Sequence, residues 1–207
     1  MYIPSHYKNE NLSEVRAFIT SHPFAILVNH LDGNPWATHT PLELTTDSEG
    51  RDVLIGHIAR ANPQWHAFEK NPRVLCIFQG PHTYVSSSWY REEEVPTWNY
   101  IAVHVYGTLK IMGEAEVLAW LGGLVDHFEE SEENPVSLDR MSEATLRQVR
   151  GVVGFRIYIE EIQAAYKLSQ GREADHPRII SELSSKEDHG SREISGMMKK
   201  RASGNKD

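Results

Sequence analysis

Tyr100-Ile101-Ala102-Val103-His104-Val105-Tyr106 alternates without a break between aliphatic residues and aromatic or polar ones. Successive side chains of a strand point to opposite faces, so Ile101, Val103 and Val105 fall on one side and Tyr100, Ala102, His104 and Tyr106 on the other. The first set suits the filled interior of a sheet closed on itself. The second is too aromatic for a plain solvent face and calls for a helix, a ligand or a second subunit. Val95-Pro96-Thr97-Trp98-Asn99 leads into this strand, and Gly107 to Met112 prolongs it.

Upstream, Asn11-Leu12-Ser13-Glu14 starts a helix, with Asn11 as cap and Glu14 three residues on. Pro23 closes it, and Phe24 to Val28 is an apolar strand. Asp32-Gly33 predicts a tight hairpin into a second strand around Trp36 to Leu42. There His39 lies on the face opposite Thr38 and Thr40. Val53-Leu54-Ile55 is a third strand, Arg73 to Gln79 a fourth, and Gly80-Pro81 is expected to end that one. Pro81 to Tyr90 then reads as a loop or edge strand. Downstream, Glu114 to Phe128 is a helix in which Gly122-Gly123 predicts close packing, since each glycine costs roughly 1 kcal/mol against alanine. A second helix runs from Ser142 to about Val149. Gly154 to Ile159 is a further strand, and Ile162 to Leu168 extends its pattern.

Six or seven strands in mostly hairpin order, with helices inserted late, give a mainly β, α+β chain: an antiparallel barrel with peripheral helices. The expected organisation is one barrel domain over 1–170, with inserted helices at about 114–150. A polar extension, partly helical or mobile, is expected over 171–207, with its helical hint confined to Ile179, Ile180 and Leu183.

The third strand runs into Gly56-His57-Ile58-Ala59-Arg60-Ala61-Asn62-Pro63-Gln64-Trp65. Gly56 marks a bulge or a close approach. Pro63 turns Asn62 away from helix and suits the first turn of a short helix after it. A strand end carrying His57, Arg60 and Asn62, followed by the amides of a helix start, is a candidate anion or phosphate cradle.

The chain has 207 residues, a net charge of −8, one cysteine and eleven histidines. The acidic balance opposes a bare reader of duplex DNA. Only the end, with Lys199, Lys200, Arg201 and Lys206 against Asp207, is locally basic. Cys76, inside an apolar strand, fits a buried thiol in a reducing, cytoplasmic setting. No apolar run is long enough to span a membrane. The histidines lack zinc-site spacing, and nothing in the chain announces a catalytic acid or base, a Walker loop or a dinucleotide fingerprint. Several histidines fall on strands, which keeps haem as an alternative ligand.

Met1-Tyr2-Ile3-Pro4, Gly56 to Trp65, Phe78-Gln79-Gly80-Pro81-His82, Val95 to Tyr100 and Lys167-Leu168-Ser169-Gln170 together resemble the PaiB family, in the same order from Met1 to about Leu183. The chain departs from it at Ser87, where members often carry proline, and at Gly171, where they often carry asparagine. The resemblance implies an FMN-binding split barrel, a homodimer with ligand sites at the interface, and negative transcriptional regulation of sporulation and degradative protease synthesis, with DNA contacted directly or indirectly. It also implies a role for each site residue. Arg60 would pair with the flavin phosphate beside Asn62 and the His57 motif. Thr38, His39 and Thr40 would line the ring or ribityl chain, and Trp98 or Tyr100 of the other subunit would stack on the ring. Lys167 would neutralise the phosphate or the reduced flavin. The alternatives on this fold are a flavin-dependent oxidoreductase and a haem-binding or haem-degrading protein.

Overall fold

A computed structural model describes residues 1–204; Lys206 and Asp207 of the basic end lie outside the described residues. Six strands form the architecture: β1 (Phe24–Leu31), β2 (Asn34–Thr46), β3 (Asp52–Ala59), β4 (Arg73–Val85), β5 (Thr97–Ile111) and β6 (Val152–Lys167). Their order around a closed antiparallel barrel is β1-β2-β3-β6-β5-β4. Among the described residues five α-helices accompany them: α1 (Leu12–Ser21), α2 (Glu114–Glu129), α3 (Glu143–Leu146), α4 (His176–Ser185) and α5 (His189–Gly204). No helix among the described residues is long and apolar enough to cross a membrane.

The chain divides into two compact units. The first gathers Met1–His22, Phe78–His104 and the chain from Ile162 onward; the second gathers Pro23–Ile77 and Val105–Glu161.

In the second unit, Asp32 (φ 51°) and Gly33 (φ 81°) both adopt the left-handed conformation. That is the geometry of the two-residue hairpin whose twist matches its strands, and it fixes Leu31 opposite Asn34. In β3 the run Val53 to Gly56 is buried at every position. Val53 and Ile55 are covered by Met112 and by Val117 and Leu121 of α2, so both faces of the strand are dry and the period-2 signal vanishes. Gly56 stands opposite Leu42 on one side and Phe155 on the other. A Cβ there would lie 2.5 Å from Leu42 Cδ2 and 3.1 Å from Phe155 Cζ, so the glycine serves a close approach.

Helix α2 departs from expectation in one respect. A Cβ added at Gly122 or Gly123 would meet nothing within 4 Å among the described residues, so close packing is not what these glycines provide here. Only part of the helix's apolar stripe is covered: Val117 and Leu121 are buried, whereas Leu118 and Phe128 are exposed.

In the first unit, Asn11 Oδ1 accepts from Glu14 N at 3.2 Å, as the capping pattern requires. In β5, Ile101 and Val103 are fully buried while Tyr100, Ala102 and His104 are half-buried, as the alternation predicts. Strand β4 does not stop at Gly80-Pro81; it continues to Val85. Its pairing with β1 covers only Leu75 to Ile77, so Pro81 removes no donor from that ladder. Gly80 is flat against Phe18, whose Cε2 would be 2.6 Å from an added Cβ. The C-terminal segment is more helical than the sequence pattern indicates. Ile179 and Leu183 of α4 and Ile194 and Met198 of α5 are all buried.

Candidate functional site

Strand β2 and the turn after β3 meet through Asn62. Its Nδ2 donates to Thr38 Oγ1 at 2.7 Å, and its Oδ1 accepts from Gln64 N at 3.0 Å. The second bond caps a short 3-10 helix, Pro63–Ala67. Gln64 N, one of the amides expected to face an anion, is therefore satisfied within the chain. Two residues further along β2, Thr40 Oγ1 donates to His57 O at 2.7 Å. These are two separate ties from β2 to β3 and its turn; the His57 imidazole itself points to the other face of the sheet, towards α2, since Leu42 stands opposite Gly56.

His39 is exposed on the other face of β2, as its register requires. Its ring lies over Phe24, with centroids 6.1 Å apart and planes 27° apart. His57 is half-buried, its ring edge-on to Trp120 of α2 at 5.7 Å. Its Nδ1 has no hydrogen-bond partner among the described residues. Burial lowers the pKa of this imidazole and so favours its neutral form.

Arg60 is anchored rather than loose. Its Nε donates to Arg150 O at 2.9 Å, its Nη2 to Val152 O at 3.0 Å, and its backbone N to Gly151 O at 2.7 Å. The guanidinium carbon stands 5.9 Å from the Trp65 ring, and Trp65 Nε1 donates back to Arg60 O at 2.8 Å. A guanidinium has five N–H donors, so three remain beyond the two bonded to Arg150 and Val152. Beside it is a cleft of about 100 Å³ with an apolar floor that includes Met112, Val117 and Val152.

Beneath this turn, Gln64 is fully buried, and its Nε2 donates to Leu27 O at 3.2 Å and Asn29 Oδ1 at 3.0 Å. In the sequence Gln64 is only a helix residue; its part in holding the turn to β1 comes from partners 37 and 35 residues away in the chain.

Trp98, Tyr100 and Lys167 belong to the first unit. Trp98 is 54% exposed, with His82 and Tyr84 beside it at centroid distances of 6.0 and 6.1 Å. Tyr100 is half-buried on the outward face of β5. Lys167 Nζ donates to Thr97 Oγ1 and lies 5.6 Å from the Tyr7 ring, and desolvation lowers its pKa. Between these residues sits Asn99, which belongs to the same Trp98-Asn99-Tyr100 segment but has no role assigned from sequence. It is fully buried, and its Nδ2 donates to Ser169 Oγ at 2.9 Å. Two segments singled out from the sequence, Val95 to Tyr100 and Lys167 to Gln170, are thereby joined at two points.

A family model described as "Putative FMN-binding domain" matches residues 1–161. The Bacillus subtilis (strain 168) protein named "Protease synthase and sporulation protein PAI 2" is 41% identical over 200 residues, covering 96% of each chain. Among solved structures, the flavocytochrome Anf3 from Azotobacter vinelandii aligns with a TM-score of 0.60 at 15% identity, over 80% of this chain and 72% of that one. The FAD and haem binding protein from Mycobacterium smegmatis aligns with a TM-score of 0.59 at 13% identity, over 78% and 73%. At such identities the likeness is one of fold, the antiparallel split barrel. The near-complete alignment at 41% identity, together with the family match over most of the chain, places this chain in the PaiB family of FMN-binding-domain proteins.

Proposed function

We propose that the protein binds FMN at a homodimer interface and acts as a ligand-linked negative regulator of sporulation and degradative protease synthesis. The observation that carries the ligand reading is the turn after β3, where Asn62 bonds Thr38 of β2 and the Arg60 guanidinium is anchored two residues away. The Thr38 hydroxyl, the Asn62 amide and the Arg60 guanidinium are the polar groups of this turn, and they suit the ribityl chain and phosphate of a flavin mononucleotide.

The cleft beside Arg60 measures about 100 Å³. Sites for drug-sized ligands run to about 300 Å³ or more, so the cleft suits a phosphate group rather than three fused rings. The ring needs a cover from elsewhere, and a second copy of the chain supplies one in its exposed Trp98. Lys167, short of full solvation, is the cation available to an electron-rich ligand at that cover. When bound, FMN supplies a visible chromophore and reversible redox chemistry.

Regulation through a partner or through the dimer's state is favoured over a bare duplex-reading surface. Arg201 is turned back to Glu14 at 3.7 Å and to the Tyr166 ring at 5.2 Å, and Lys199 donates to Ser184. The test is the absorption spectrum of the purified protein followed by titration with FMN and, separately, haemin, with a gel shift across a salt series alongside. Saturable FMN binding with a red-shifted or quenched flavin spectrum is expected. A Soret band with no flavin response would replace the reading by haem binding, and rapid oxidation of a reduced nicotinamide would replace regulation by an oxidoreductase role.

A further inference from the structure

The cleft beside Arg60 carries a second guanidinium. Among its lining residues three are charged: Arg60, Arg150 and Glu114. Arg150 comes from the 3-10 helix Arg147–Gly151, just ahead of β6. Arg60 holds that segment through three bonds, to the carbonyls of Arg150, Gly151 and Val152, so the two cationic side chains spring from backbone that is mutually fixed. Two like charges on one small, apolar-floored cleft repel each other unless an anion lies with them. Glu114, at the start of α2, fills that part: its Oε1 is 3.3 Å from Arg150 Nε. Both partners are about three-quarters exposed, so the pair is weak and readily exchanged.

We propose that Arg150 is a phosphate-binding residue of this protein. A phosphomonoester dianion seats in the cleft between Arg60 and Arg150 and displaces the Glu114 carboxylate. Two positive charges against one negative leave the cleft short of one anionic charge, and exchanging a monoanion for a dianion removes the deficit. Planar guanidiniums also match the paired oxygens of a phosphate better than an ammonium does. The inference deepens the FMN reading and rests on it for the identity of the ester. The anion site itself stands on the cleft and its two arginines.

The experiment compares FMN, riboflavin and phenyl phosphate on the wild-type protein and on Arg150→Gln, Arg150→Lys and Glu114→Gln. Flavin binding is followed by fluorescence and phenyl phosphate binding by calorimetry. Arg150→Gln weakens FMN and phenyl phosphate roughly tenfold and leaves riboflavin unchanged, with partial recovery in Arg150→Lys. Glu114→Gln strengthens both phosphate esters, which a merely structural role for the ion pair does not produce. An unchanged preference for FMN over riboflavin in Arg150→Gln overturns the proposal. If neither flavin binds but phenyl phosphate does, and depends on Arg150, the anion site stands and the FMN reading falls. If phenyl phosphate fails to bind, or ignores Arg150, the anion site falls whatever the flavins do.

Discussion

Asn62 Nδ2 donates to Thr38 Oγ1 at 2.7 Å while its Oδ1 caps the 3-10 helix that follows. One amide therefore sets both the path of the turn and the orientation of a hydroxyl on the neighbouring strand. Asn62→Ala removes the cap and the cross-strand bond together and is expected to destabilise the fold by about 1–2 kcal/mol. Thr38→Val removes only the second and costs less. Urea denaturation of the two variants and their double mutant checks the coupling, which vanishes if the two side chains act independently.

Asn99 stands on the core-facing side of β5 in register with Ile101 and Val103, yet it is polar and fully buried. Its partner, Ser169, is 5% exposed and has φ of 62°. Asn99→Ala leaves the Ser169 hydroxyl with a lost partner in a dry site, a loss of about 1–3 kcal/mol. The Asn99→Ala, Ser169→Ala double variant is expected to recover part of it. Thermal melts check this, and additive losses contradict the pairing.

Gly122 and Gly123 lie in the middle of α2 with open space where a Cβ would be. Alanine at either position is expected to stabilise the protein by about 1 kcal/mol, the difference in helix propensity. A loss of stability on chemical denaturation means that something packs closely against this face in solution.

His57 gives a pH dependence of definite sign. Burial holds its pKa below the ordinary histidine value, so the unfolded chain takes up a proton at a higher pH than the native one. Below about pH 6.5 the unfolded state thus binds more protons, and stability falls with falling pH down to the native pKa; above that window the contribution is fully present. His104 is shifted in the same direction, also chiefly by desolvation, so the dependence is shared. His57→Gln is expected to flatten the fall in urea midpoint between about pH 7.5 and about pH 5.5. An unaltered slope contradicts the assignment to His57.

What could be read from the sequence was local. The alternation of β5, the Asp32-Gly33 hairpin and the Asn11 cap each depend on a few neighbouring residues, and each has the form that its pattern demands. Helix α5 was hidden because serines dilute its buried stripe. Ser191 bonds to Thr83 at 2.7 Å, and Ser195 donates to Ile180 O at 3.1 Å, so residues that read as solvated are internal. Gly80-Pro81 misled because the pairing of β4 with β1 ends at Ile77, before the proline. In the candidate site, Thr38, Thr40, His57 and Asn62 were legible from one motif and one strand. Arg150 was not, since the bond from Arg60 that fixes its segment spans ninety residues of chain. Asn99 could have been found as the polar residue on an otherwise apolar strand face.

The most direct test of a shared interface site mixes two variants. Arg60→Ala and Trp98→Ala are each expected to lose most FMN binding as separate homodimers. After unfolding and refolding together, half the dimers are mixed, and each mixed dimer holds one site with both residues intact and one with neither. FMN capacity should then return to roughly a quarter of the wild-type value, the statistical yield for a two-fold symmetric dimer. No recovery on mixing, with mixed dimers shown to form, means that Arg60 and Trp98 do not meet across a subunit boundary around one flavin.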